Sequence, residues 1–599
     1  MNRHEYIISD FSDAVVEKEH LSSASHPHCW EVVSYETEEI NGKLLIASEE
    51  SWPKSVTITP NLSGWYKIFV CLENFGGGFG GGYLKNRISL RLTDDEFPSL
   101  VKAGDLSKYR PSGFHMMQLI EESLWKCADM TGQDITISKI HDQIVHYANI
   151  YWLRFVPMND TEVKEYLNRI HDPSRKTLFA HMDGDFHSFD NAITPHDFCK
   201  PFYAMKNSDV GIVCQEVCND LIDYRTFDKP YAARDAFTKR RMEYFRHLSE
   251  NRAAIYPVQI DYAHKCGMQL FAGHRMQLSN FAFPISQPMF TIPFVTEHPE
   301  LRIQSRDGVT GGFLSYAYPE TQDFMIQNLL ESAEHGFDGV LLIFNRGQHL
   351  GFEEPVAEKY RAKYGDTTDF YRLPQNHPRL IETRSDIMTE FFLKVRKAIH
   401  DYAEAHHKAP MKIYLNAFYN VEDSLLEGLD LKRLITEGCL DGCIFTKKMY
   451  IEQTDDILAE DGLIDLKKYT EKAKTSILYN TSSDSLITKM ATGVAALHEL
   501  ASEYGVELFS ENQWEALQPP ENYVKSAKTL YNAGKCRISL WDCYPCRVEN
   551  LAEWDGTSRI GDPAYVAQMS VDGDSYHKIY RVYSYNGVNI QYTNPCWRG

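Results

Sequence analysis

At 599 residues the chain exceeds one ordinary hydrophobic core, so two or more domains are expected. A net charge of −21 argues against nucleic acid as the main partner, because phosphate binding needs a basic surface. The opening MNRHEYIISDFSD lacks the apolar core of a signal segment, and no apolar run approaches the ~20 residues that span a bilayer, so a cytoplasmic protein without a membrane partner is expected.

Residues 1–160 read as a β-sandwich. Ser55–Thr59 and Trp65–Leu72 are rich in β-branched and aromatic residues, and Arg87–Leu92 alternates polar with apolar, which predicts one buried face. Tyr151–Val156 ends at Pro157 and reads as the last strand. Between two of these strands, Phe75-Gly-Gly-Gly-Phe-Gly-Gly-Gly-Tyr83 contains G-x-G-x-x-G, but no helix follows. A hairpin loop is the expected reading, rather than a nucleotide loop.

Residues 161–176 read as a helical linker. From 177 to 560, helices and strands alternate, the pattern of a (β/α)8 barrel, which usually takes ~250 residues or more. Nine candidate strands compete for eight places: Thr177–Met182, Val210–Gln215, Met268–Ala272, Val340–Phe344, Lys412–Phe418, Asp441–Phe445, Ser476–Tyr479, Val506–Phe509 and Ile538–Trp541. Long excursions at about 217–250 and 274–320 would wall a pocket. The tail, 561–599, reads as a short β extension docked on the barrel or on the sandwich.

One module is especially informative. Tyr318-Pro319-Glu320 starts a helix, with Pro in the first turn and a carboxylate beside it. Met325, Ile326, Leu329, Leu330 and Ala333 form its apolar stripe, and Gly336 suits a left-handed stop. Val340–Phe344 then reads as a strand covered on both faces. The "YAYPE" start, followed by Gly336-Phe337-Asp338-Gly339-Val340, resembles the bacterial glycosyl-hydrolase-like TIM barrels called family 10-like glycosyl hydrolases. The resemblance spans roughly 175–560. It implies an α/β barrel behind an N-terminal β-sandwich, and a glycosidase acting on carbohydrate without a cofactor. Relatives often carry an acid late in this strand, where the present chain has Ile343.

Glycoside hydrolysis usually uses two carboxylates in different environments, placed in a barrel at the C-terminal strand ends. Asp183 follows the first strand, with an Asx turn as its structural alternative. Glu216 ends the second strand and reads as a ligand-binding acid or a solvated one. His274 and Arg275 follow the third and suit sugar hydroxyls or a ligand carboxylate. Asn345 and Arg346 end the fourth. Glu353 and Glu354 lie just beyond, as helix-capping acids or with Glu354 reaching back as general acid. Glu511 ends the late strand that contains Val506 and is the leading candidate for nucleophile or base. Trp514 would floor a sugar ring. Trp541 and Asp542 end the last strand, and the resemblance includes a similar Trp-Asp ending.

Thirteen scattered cysteines read as reduced thiols. Cys543-Tyr-Pro-Cys546 would form a zinc site only by joining Cys214 and Cys218. The expected activity is hydrolysis of an imported oligosaccharide or small glycoside by Glu511 with Glu354 or Asp183. Two alternatives stay open: a metal-dependent sugar isomerase or lyase built on Asp183, Glu216 and His274, and a glycan-binding barrel without catalysis. A homo-oligomer is compatible with the sequence.

Overall fold

The computed structural model describes residues 4–48, 50–73, 87–104, 118–140, 147–183, 192–217, 236–277, 292–345, 347, 349–365, 370–447, 467–468, 470–471, 483–512, 521–569 and 577–590. The glycine run at 75–83 and the candidate strand Ser476–Tyr479 lie outside them. The other eight candidates form a closed parallel barrel in chain order. Its strands are β1 (Leu178–Met182), β2 (Val210–Glu216), β3 (Gln269–Arg275), β4 (Gly339–Ile343), β5 (Lys412–Ala417), β6 (Gly442–Phe445), β7 (Glu507–Glu511) and β8 (Arg537–Leu540).

Each strand alternates between two apolar environments. Ala180, Leu270, Leu342 and Leu508 pack outward against helices such as Pro319–His335 and Pro378–Ala405. Phe179, Phe271, Tyr414 and Phe509, from the odd-numbered strands, meet inside. The ring centroids of Phe271 and Tyr414 are 4.8 Å apart, and those of Phe179 and Phe509 are 5.5 Å apart. This aromatic layer makes the barrel a packed core rather than a pore.

The repeated Asp-Gly step has a structural cause. Asp338 Oδ2 accepts the Leu270 N–H at 2.8 Å, and Asp441 Oδ2 accepts the Ile413 N–H at 2.7 Å. Each aspartate thereby holds the start of the preceding strand. A Cβ on Gly339 would come within 2.6 Å of the Phe271 ring, and one on Gly442 within 2.8 Å of the Tyr414 ring. Glycine is needed there because the aromatic layer fills the space. The helix before β4 runs Pro319–His335 and ends on Gly336 at φ 90°.

The N-terminal region is two mainly antiparallel sheets around a separate core that includes Trp30, Ile68, Leu90, Ile135 and Leu153. The C-terminal strand His577–Tyr585 lies inside the larger sheet, between Leu119–Asp129 and Trp30–Thr37, with Tyr580 opposite Ile120. The two ends of the chain thus share one sheet. Helix Asp160–His171 then leads to the barrel, its first turn closed by a capping box between Asn159 and Glu162. The sandwich is tied to the segment after β8 by a buried ion pair, Arg87 Nε to Glu549 Oε2 at 2.8 Å. Among the described residues, no helix is long and apolar enough to cross a membrane.

Candidate functional site

The period-two alternation decides which residues reach the barrel mouth. Positions in step with the aromatic layer face inward, so the upper interior is built by His181 and Asp183 from β1, Glu216 from β2, Arg275 from β3, Asn345 after β4, Asn416 from β5, Thr446 after β6, Glu511 from β7 and Trp541 after β8. All eight strands contribute, at the end where barrels carry their sites.

On the β1–β3 side the charges are paired. Arg275 reaches Asp183 Oδ1 at 2.8 Å through one guanidinium nitrogen, and its Nε lies 2.6 Å from Glu216 Oε2. The other Glu216 oxygen is 2.9 Å from His181 Nε2, with both side chains almost fully buried. The His181 ring stacks on Trp541 at 3.7 Å and 12°. One guanidinium therefore bridges two carboxylates, and the Trp541 face holds the imidazole against Glu216.

On the β7 side the environment is different. Glu511 is 2% exposed. Its Oε2 accepts the Thr446 hydroxyl and lies 3.4 Å from the Lys447 N–H. Its Oε1 is buried without a hydrogen-bond partner among the described residues. The same holds for Asn345 Oδ1 and for both amide atoms of Asn416. Asn345 uses its amide nitrogen to donate to the Lys447 carbonyl at 3.1 Å. Buried polar atoms left open in this way normally take water or a ligand. Such an arrangement can hold a hydroxyl-rich molecule and present a carboxylate oxygen to it.

Several expected residues are placed elsewhere. His274 faces outward, donating to or accepting from Ser332 Oγ at 2.8 Å on helix Pro319–His335, and burial lowers its pKa to about 4. It therefore does not join Asp183 and Glu216, and the ligand set of the isomerase reading does not converge. Glu354 does not reach back to the mouth. It lies on the exposed face of helix Glu354–Tyr364, bonded to Tyr371 and Arg361 at 2.6 Å each, and these contacts lower its pKa, against a general acid. Its neighbour Glu353 is the buried member of the pair. Burial raises its pKa to about 7, while it accepts the Gly351 N–H at 2.9 Å and the Gln304 N–H at 3.1 Å.

Trp541 has one ring face covered by His181, and Asp542 begins the following turn at φ 49°. Ile343 packs in the barrel interior, so β4 supplies an apolar side chain and no acid at that position. Cys214 belongs to that interior, whereas Cys543 packs in the outer layer beside Met205, so the two do not meet at one zinc ion. Arg346, Trp514 and Cys218 lie outside the described residues. Among the described residues, no group of three or more His, Cys, Asp and Glu is placed to hold a metal ion.

His181, Asn416 and Thr446 were not singled out from sequence. Their signal was parity: each lies two positions beyond an inward apolar residue, Phe179, Tyr414 and Ile444.

No known family profile matches the chain, and no curated protein matches its sequence. Among solved structures, the glycoside hydrolase domain of PgaB (BpsB) from Bordetella bronchiseptica is 11% identical, with a TM-score of 0.40, covering 63% of this chain and 98% of that one. The glycoside hydrolase domain of PelA from Pseudomonas aeruginosa is 11% identical at a TM-score of 0.29, covering 62% and 96%. An α-galactosidase from Thermus thermophilus is 9% identical at 0.33, covering 90% and 95%. These neighbours are glycoside hydrolases at low identity. The barrel itself is established by the strand pairing of this chain.

Proposed function

We propose that this chain is a glycoside hydrolase in which Glu511 and Asp183 supply the two carboxylates. The supporting observation is Glu511: a buried acid at a C-terminal strand end, with one oxygen fixed by Thr446 and the other without a protein partner among the described residues. Glu511 acts as nucleophile or general base, and Asp183 works at the glycosidic oxygen after substrate loosens its contact with Arg275. Overall, water adds its hydroxyl to the anomeric carbon, and its proton ends on the leaving oxygen. Asn345 and Asn416 bind sugar hydroxyls. The substrate is an oligosaccharide or small glycoside available in the cytoplasm.

The test is mass-spectrometric detection of hydrolysis over a panel of oligosaccharides and glycosides, for wild type, Glu511→Gln and Asp183→Asn. Cleavage by wild type that both substitutions abolish, unchanged by EDTA, supports the proposal. Cleavage that survives Glu511→Gln removes that residue from the reaction. A second reading, a glycan-binding barrel without catalysis, is favoured by Ile343 alone. It predicts saccharide binding without turnover in wild type.

A further inference from the structure

A second cavity lies away from the barrel mouth, where the sandwich meets the side of the barrel. Its volume is about 480 Å³, within the ~300–1,000 Å³ of small-molecule sites, which often form between domains. Trp65, Tyr166 and Trp554 supply aromatic surface, and Arg169, Lys206 and Asn207 supply polar groups. The Trp65 and Tyr166 rings are 5.8 Å apart and tilted.

The charges around this cavity are unevenly satisfied. Its lining carboxylates already have protein partners: Asp94 accepts from Gln133, Asp95 from Lys126 at 2.7 Å, and Asp129 from Thr131 at 2.7 Å. Glu549 is held by Arg87, and Asp555 pairs with Arg559 at 3.0 Å. Two of the lining cations are less well matched. Lys206 Nζ sits 3.7 Å above the Tyr203 ring and has no carboxylate within ion-pair distance among the described residues. Arg169 Nη1 stands 3.7 Å from Asp209, with no hydrogen-bond partner among the described residues. Burial lowers the Arg169 pKa; attraction to Asp209 opposes this, and weaker repulsion from Arg559 and Arg175 adds to the lowering. An incoming anion would relieve that repulsion.

We propose that this cavity is a binding site for an anionic sugar, carrying a carboxylate or a phosphate. The anion pairs with Lys206 and Arg169. The apolar face of the sugar ring lies on the tryptophans, and its hydroxyls meet Asn207. The site takes no part in hydrolysis, so this inference does not rest on the function proposed above.

The test is isothermal titration calorimetry of the full chain with glucuronate and with glucose 6-phosphate, using glucose and inorganic phosphate as controls. The expected result is binding of at least one anionic sugar, more than tenfold tighter than glucose or phosphate. Lys206→Ala and Arg169→Gln should each weaken it about tenfold or more, the loss of one charged hydrogen bond. Glu511→Gln should leave it unchanged. Lys206→Ala keeps the test open if Arg169→Gln fails to fold. Binding that is lost in Glu511→Gln but kept in both cation variants assigns the ligand to the barrel mouth and overturns the proposal. The absence of millimolar binding for both anionic sugars overturns it as well.

Discussion

The two sides of the barrel mouth carry acids in opposite situations. Around β1–β3, Asp183 and Glu216 share Arg275, and His181 closes the cluster. On β7, Glu511 is held at one oxygen by Thr446 and has no partner at the other among the described residues. A carboxylate bridged by a guanidinium has its charge matched before any ligand arrives. One that is buried with an open oxygen is held ready for a group that comes from outside. β7 and β3 stand four strands apart in a ring of eight, so a ligand entering the mouth lies between these environments.

Breaking the open side should have the largest effect. Under the proposed mechanism, Glu511→Gln lowers kcat by about 10²–10⁴-fold, measured by product formation at saturating substrate. An unchanged kcat would end the assignment.

Breaking the paired side should act on stability first. Arg275→Met leaves Glu216 buried without its cation. A loss of about 3–5 kcal/mol is expected from denaturant unfolding. A loss under ~1 kcal/mol would mean that Glu216 takes up a proton or a new partner without strain.

The outward neighbour of Arg275 gives a pH test. The pKa of His274 is lowered from 6.5 to about 4 in the fold. The unfolded chain therefore binds the extra proton first. This contribution is fully present above pH 6.5 and falls as the pH drops toward 4, by roughly 3 kcal/mol in all. His274→Gln should flatten the unfolding free energy over that window. Glu353 has the opposite sign: its pKa is raised from 4.5 to about 7, so stability falls as the pH rises through that range. The same substitution to Gln at 353 should flatten the unfolding free energy there.

The smallest change sharpens the comparison. Thr446→Val removes one hydrogen bond to Glu511, worth about 1 kcal/mol, and should lower kcat about fivefold. A pH optimum displaced together with kcat would mark Thr446 as a positioning residue rather than a packing one.

Much of the barrel is legible in sequence because parallel strands buried on both faces are apolar runs, as in β4. The helix before it was legible from its Pro start, its stripe and Gly336. Glu353 and Glu354 show where that reading stops. They are adjacent and chemically alike, yet one is fully buried and the other is a surface helix residue, because only the packing of the 302–314 hairpin and the 349–353 segment separates them. His274 and Arg275 divide in the same way, by strand parity, once the register is known.

The local pattern of the sequence determined the alternation of strand and helix and the set of acids near the strand ends, though β3 runs three residues and β7 two residues past the expected stop. These depend on contacts within a few residues. The tertiary structure decided which of those acids meet. It also placed His577–Tyr585 inside a sheet formed by the first 160 residues and opened a charged cavity between sandwich and barrel. Such pairings join residues hundreds of positions apart. Their free energy comes from burial and charge matching that exist only after the chain has closed on itself.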